Sequence, residues 1–430
     1  MSNPSWRPTA ALARVTVLPA AVALAGVLAR RVDVVLLAAP LALAALPLLR
    51  RPPGRPHARL TVSDTYPAEG GTVQVAVRVA GARGAETVTA GVATPDWVRP
   101  PPGRRVSAVT PVGSDGDGEL AVDLTAGRWG RSAVGPAVVT LSAASGLLRF
   151  GPMQLPERRV QVFPLSARYR GSAAVPRAGG NVGMHRSLRA GPGTELAGIR
   201  PFVPGDRRHR INWRVSLRTG ELQVNASTTE RDADVVVLLD GRYDWGASGG
   251  IQGSASGLDL AVRASAALAA FYLGLGDRVG MSTYTALPRQ LPARAGRRQL
   301  HLLLNALLDV EAPQRGGAEP AMPAPVGLDA RALVLLVSPL VGRQVFARAA
   351  ALARAGHAVI AVDTLRDEVP DEDTDEWSEP VARLWRLERA TRIAQLRDLG
   401  VPVVTWHGSG SLDAVLADLA RIAAHSGRRS

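Results

Sequence analysis

Two long apolar runs open the chain, short alternating runs follow them, and in the second half unbroken apolar strands alternate with helical periods. Residues Ala10 to Ala29 hold one charge, Arg14, and Val32 to Leu49 hold only Asp33, near their start. Each run is about 18–20 residues long, enough for an α-helix to cross an apolar slab of roughly 30 Å. Arg30 and Arg31 leave room only for a tight turn. The pattern therefore predicts a transmembrane helical hairpin over residues 10–50, behind a short tail, 1–9. Arg14 lies near a helix end, where its long stem reaches the headgroups, and proline at 19, 40 and 47 is tolerated in membrane helices. Arg7 and Arg14 precede the turn, and Arg50, Arg51, Arg55 and Arg59 follow it, six arginines against two. By the positive-inside rule both termini and the bulk of the chain are then cytoplasmic, in a multi-pass protein of the cell membrane. A cleaved signal peptide is the competing reading, disfavoured because a second apolar span follows at once.

After Pro52-Pro53-Gly54 the period shortens. Thr72–Val79, Thr87–Val92, Glu119–Leu124 and Val138–Leu141 alternate apolar and polar residues between Gly, Pro and Asp clusters, and Arg158–Phe163 ends the series before Pro164. Short strands with regular turn punctuation predict a β-sandwich-like module over 57–165. From Asp234 the period changes again. Val235–Leu239, Val279–Tyr284, Leu333–Val337, Ala358–Val362 and Val401–Trp406 read as strands. Leu258–Leu273, Gln299–Leu308, Gln344–Ala355, Val381–Leu399 and Leu412–Ala424 read as helices. Fully apolar strands alternating with helices predict a parallel sheet covered on both faces, hence a doubly wound α/β domain over 233–425.

Composition narrows the chemistry. There is no cysteine, so a disulfide, a thiolate zinc site and a cysteine nucleophile are all excluded. All basic residues are arginine, which removes the lysine of a phosphate-binding loop and with it an ATPase of that type. The formal charge of +14 suits nucleic acid, anionic lipid or an acidic protein surface alike. The acidic run Asp371–Glu376 reads as a solvated loop.

Asp240, Ser338, Asp363 and His407 fall at or just past strand carboxyl ends, where ligands gather in open α/β sheets. An acid at the end of the first strand, followed by hydroxyls two and four residues later, is the cation pattern of the von Willebrand factor type A fold. Here the run is Asp240-Gly241-Arg242-Tyr243-Asp244. A guanidinium repels a cation and offers it no lone pair. No metal or other cofactor is expected. Magnesium at a degenerate Asp240/Asp244 site is disfavoured, and Asp240 capping the next turn or pairing with Arg242 is the simpler reading.

The most distinctive stretch lies in a basic connector, 166–232, where between Ser166 and Arg231 twelve arginines face Glu195, Asp206, Glu221 and Glu230. In Phe202–Leu222, Pro204-Gly205 makes a turn. Ile211, Trp213, Val215 and Leu217 then alternate with Asn212, Arg214, Ser216 and Arg218, which favours a half-buried strand and leaves an irregular helix open. Arginines beside Trp213 suit stacking on single-stranded nucleic acid, but one tryptophan is a thin platform. The preferred reading is a packed junction of Asp206, Arg210, Trp213, Arg218, Glu221 and Glu230, in which Trp213→Ala would cost roughly 3–5 kcal/mol.

At these residues the sequence resembles the domain-of-unknown-function 58 family. The matching positions are Gly193-Thr194-Glu195, Gly198–Asp206 including Arg200, Pro204, Gly205 and Asp206, then Arg210-Ile211-Asn212-Trp213, Ser216, Arg218–Leu222 including Gly220 and Glu221, and Glu230-Arg231. The resemblance implies a membrane-anchored, type A-like protein with no established reaction. It further implies an adaptor or scaffold working with a MoxR-type AAA+ ATPase, and with other envelope proteins, in protein maturation or envelope processes. A nucleic-acid binder using the connector and a hydrolase with a dispersed site are the competing classes.

Overall fold

The structure, a computed structural model, describes residues 5–43, 55–103, 105–164, 190–203, 208, 211–228, 234–311, 322, 328, 332–365, 378–408, 410–413 and 415–417. The chain forms two compact units, Met1–Phe163 with Gly250–Gln252, and Pro164–Gly249 with Gly253–Ser430.

The first unit begins with a three-residue strand, β1 (Trp6–Pro8), followed by α1 (Ala10–Leu28) and α2 (Val32–Leu43). Apart from Arg14 and Thr16 α1 is apolar, and Val17, Leu18, Leu24, Val27 and Leu28 are exposed on it. It pairs with α2 through Gly26, where a Cβ would stand 2.7 Å from Val35 Cγ2, so only glycine permits this approach. Arg31 in the turn forms a 2.8 Å ion pair with Asp33, neutralising the one acid of α2. α1 is long and apolar enough to cross a membrane. The expected continuation of α2 beyond Leu43 lies outside the described residues.

Among the described residues ten further strands follow in this unit: β2 (His57–Val62), β3 (Thr72–Ala80), β4 (Thr87–Val92), β5 (Val98–Arg99), β6 (Ser107–Pro111), β7 (Gly118–Ala126), β8 (Gly130–Val134), β9 (Ala137–Ala143), β10 (Leu148–Leu155) and β11 (Arg158–Val162). They make two antiparallel sheets, ordered β2-β3-β7-β5 and β1-β10-β9-β4-β6, with β11 and β8 as a separate pair. The period of two explains the core: Val73, Val75, Val77 and Val79 of β3 point inward, as do Val139 and Leu141 of β9 and Phe150 of β10. Trp6 packs on this core and lies 5.4 Å from Phe150, so the segment before α1 is itself an edge strand.

The second unit contains β12 (Ala190–Pro201), α3 (Trp213–Thr219), β13 (Gln223–Thr228), β14 (Asp234–Asp240), α4 (Gly257–Leu275), β15 (Arg278–Tyr284), β16 (Arg289–Arg294), α5 (Arg297–Leu307), β17 (Leu333–Ser338), α6 (Arg343–Arg354), β18 (Ala358–Asp363), α7 (Ser378–Asp398) and β19 (Val403–Thr405). The main sheet runs β16-β15-β14-β17-β18-β19, and its order turns back on itself at β14. Val235 to Leu239 are all buried, on both faces. Val236 and Leu238 join a cluster that includes Val345 and Phe346 of α6 and Ile393 and Leu396 of α7. α4 also has the length and apolarity of a membrane span, but it is mostly buried and packs on the sheet. A capping box of Ser256 and Asp259 starts it, and Gly276 in the left-handed region ends it.

One expectation is corrected here. The sheet is not wholly parallel, for β16 pairs antiparallel with β15. The residues between them are too few for a crossover, and they close a tight turn in which Thr283 Oγ1 accepts from Arg289 N and Thr285 Oγ1 donates to Leu287 O. Within the basic connector the structure also places β12 and β13, an antiparallel pair on either side of α3.

Candidate functional site

Parallel pairing brings Asp240, Ser338 and Asp363 to one edge of the main sheet, because Leu239 is in register with Val337 and Ser338 with Asp363. The Asp240 carboxylate is fully committed. Arg242 grips it with two bonds, Nε to Oδ1 at 2.8 Å and Nη2 to Oδ2 at 3.0 Å, while Ser338 Oγ donates to Oδ2 at 2.8 Å. Arg242 Nη1 also donates to Gln344 Oε1 at 3.3 Å. The side chains of Asp240 and Arg242 are 0% exposed. Such a pair survives burial only when the geometry is close to ideal and the remaining donors and acceptors are met.

One strand over, α7 supplies a second guanidinium. Arg389 Nη2 lies 2.5 and 2.6 Å from the two Asp363 oxygens, and its Nε donates to the carbonyls of Pro339 and Leu340. Leu340 is in the left-handed region, φ +52°, and its N–H donates to Ser338 Oγ. Tyr284, opposite Asp240 in register, has its phenol pushed up to about 12, chiefly by burial, with Arg348 opposing and Asp240 adding to the rise.

This arrangement does not fit a divalent cation. Asp240 already holds a positive group, and Asp244 accepts from Leu258 N at the start of α4, turned to the helix instead. At these strand ends each aspartate is thus held by its own arginine, Asp240 by Arg242 and Asp363 by Arg389, and Ser338 adds a bond to Asp240. His407, the remaining strand-end candidate, is exposed, and its backbone N–H donates to Ser411 Oγ. Arg389 and Gln344 are members that sequence reasoning misses, since their partners are 26 and 102 residues away and no local pattern links them.

The family-like stretch has a different construction. Asn212 caps α3, with its Oδ1 accepting from Val215 N at 3.2 Å and its Nδ2 donating to Asn225 Oδ1 at 2.8 Å. Ser216 is buried and binds both ways, its Oγ donating to Asn212 O and accepting from Gln223 N at 2.8 Å. Gly220 closes the helix in the left-handed region, φ +75°, which explains Thr-Gly-Glu at this point. Main-chain bonds from Phe202 N to Leu222 O and from Asn212 N to Gln223 O hold the helix beside β13.

Two readings of this stretch are corrected. Residues from Trp213 form a helix and not a half-buried strand, because the asparagine cap and the left-handed glycine satisfy the helix ends that an alternation count ignores. Of the packed junction, the described members stand on the surface instead: Trp213 is 61% exposed, and Arg218 and Glu221 are exposed as well. Leu217, one turn on, is 84% exposed, and Leu222 is exposed beside it. The backbone of Arg200 lies in β12. Pro204, Gly205, Asp206, Arg210, Glu230 and Arg231 lie outside the described residues.

Residues 198–380 match the family model described as "Protein of unknown function DUF58". Uncharacterized proteins of Mycobacterium bovis and Mycobacterium tuberculosis are 31% identical over 203 residues, covering 44% of this chain. The chain spans 61% of the length of these relatives. Among solved structures, a non-cellulosomal cohesin from Archaeoglobus fulgidus aligns at TM-score 0.19 and 13% identity, over 25% of this chain and 91% of its own. The cupredoxin domain of amoB from Nitrosocaldus yellowstonii aligns at 0.17 and 13%, over 26% and 88%.

Proposed function

We propose that this chain is a membrane-anchored adaptor whose second unit binds a protein partner through the α3 face. The observation that carries the reading is the exposed apolar pair Trp213 and Leu217, four residues apart on a helix whose caps and buried Ser216 fix its orientation. A tryptophan on a capped helix, flanked here by Arg214 and Arg218, has the composition that dominates binding energy at protein interfaces. The strand-end acids support a non-enzymatic role, because each is taken up by an arginine inside the fold. The reversal of strand order at β14, with an acid at its carboxyl end, favours a doubly wound, type A-like architecture. Membrane anchoring by α1 and α2 with both ends of the hairpin on one side is favoured by two features, and the count of six arginines against two favours the cytoplasm for that side. The faces of α1 are apolar and exposed, and the chain enters the hairpin from β1 and leaves it towards β2 in the same unit.

The resemblance makes a MoxR-type AAA+ ATPase the partner to test. Full-length protein, affinity-purified from membranes with and without ATP, is compared with a Trp213→Ala/Leu217→Ala variant. Expected is ATPase capture by the parent and its loss in the variant at an unchanged unfolding midpoint. Capture that survives the double substitution overturns the α3 assignment. An extracytoplasmic signal from a reporter fused at Ser430 overturns the topology.

A further inference from the structure

We infer that Arg7 and Arg149 form a binding site for the phosphate of an anionic lipid headgroup, at the foot of α1. The inference rests on the membrane reading above and extends it to lipid class. β1 pairs antiparallel with β10, and the register sets Arg7 directly opposite Arg149. Trp6 and Phe150, the next pair along, face the core, so by the period of two the arginines share the outward face. Like charges directly opposite on neighbouring strands are destabilising unless something compensates them.

The same unit shows what compensation looks like. Arg59 stands opposite Arg78 on β2 and β3, and there the next strand supplies Glu119, which accepts from Arg78 Nε at 3.0 Å. At the corresponding place beside Arg149 the next strand supplies Ser142, whose hydroxyl is hydrogen-bonded to Thr87. Glu86, just before Thr87, accepts the N–H of Ser145 instead. Among the described residues no carboxylate pairs with Arg7 or Arg149. Two guanidinium groups with a hydroxyl in line leave room for an anion with several acceptor oxygens, and phosphate has that chemistry.

The fold also decides where this pair lies. Thr9 ends β1 and starts α1, and its Oγ1 donates to Gly146 O at 2.9 Å, with its N–H bonded to Leu147 O. The sheet edge and the helix are therefore joined at one residue. α1 has 19 residues, so it spans about 28 Å, close to the apolar thickness of a bilayer. Arg7, three residues before Ala10, then lies within about 10 Å of the hydrocarbon boundary, at headgroup depth. A free phosphate ion offers the same oxygens, but only a lipid is confined to that depth.

The full chain, purified in mild detergent, is reconstituted into nanodiscs of mixed phosphatidylglycerol and phosphatidylcholine, and the lipid retained on the released protein is counted by native mass spectrometry. Parent protein is expected to retain phosphatidylglycerol preferentially. Arg7→Gln/Arg149→Gln is expected to lower that preference about 25-fold at low salt, from about fivefold for each arginine beside an anionic surface. Arg7→Lys/Arg149→Lys should keep most of it, and Arg354→Gln, on α6, should keep all of it. In neutral detergent the glutamine variant should unfold no earlier than the parent, since no protein partner is lost. An unchanged preference in the glutamine variant overturns the inference, as does its earlier unfolding. Displacement of the lipid by millimolar inorganic phosphate assigns the site to free phosphate and overturns the lipid assignment. Extraction of the chain from vesicles by alkaline carbonate overturns this inference together with the membrane reading, whereas a carbonate-resistant chain without lipid preference overturns this inference alone.

Discussion

Removing Arg242 should unfold the second unit at a markedly lower temperature. Its guanidinium makes two bonds to Asp240 and one to Gln344, all from a side chain with no exposure. In Arg242→Ala the Asp240 carboxylate remains buried with Ser338 and the Arg242-position backbone N–H as its only donors among the described residues, the latter at 3.4 Å. Breaking one side of a buried pair costs about 3–5 kcal/mol, because the surviving charge is left uncompensated. For a domain of this size each kcal/mol moves the midpoint by about 2–4 °C, so a fall of about 6–20 °C is expected. Asp240→Ala should be comparably damaging, since it strands the guanidinium. The double variant Asp240→Ala/Arg242→Ala removes both charges and should lose less than the sum of the single losses. Thermal unfolding of the full chain in detergent, followed by tryptophan fluorescence, measures all four proteins. Single losses below about 1 kcal/mol, or losses that simply add in the double variant, would show that the pair does not hold the sheet edge as argued.

Three further outcomes follow from the same structure. Calorimetric titration of the full chain with magnesium should show no saturable binding, and a stoichiometric site that vanishes in Asp240→Ala would refute the guanidinium argument. Asn212→Ala should cost about 1 kcal/mol through the lost cap, read as faster hydrogen exchange across α3, and unchanged exchange would count against the capping role. Tyr284 has a folded pKa above its ordinary value of 10, so the fold binds its proton more tightly than the unfolded chain does. Stability from this source is complete below pH 10 and is lost as pH rises towards about 12, and Tyr284→Phe should flatten that part of the denaturant-midpoint profile.

Local pattern alone gives several parts of this protein. The apolar run of α1, the alternation of β3 and the unbroken apolar strands β14, β17 and β18 are each legible because burial on one face or two imposes a period on the residues themselves. Asp240 and Ser338 are legible as strand-end residues for the same reason. The helix at Trp213 is not, since its ends are set by single residues, Asn212 and Gly220, while its side chains happen to alternate.

Tertiary structure decides the rest. Whether Trp213 is core or surface depends on what else reaches it, and the chain folds so that Ser216 faces inward and Trp213 and Leu217 face out. The link from Arg389 to Asp363 spans a helix and a strand, so composition records two charges and only the packing of α7 makes them a pair. Arg7 and Arg149 are 142 positions apart, and it is the register of β1 on β10 that makes them neighbours. Periodicity is a one-dimensional signal and fixes which face of an element is apolar. Partnership between charges is a distance, and distance is set only once the elements have packed.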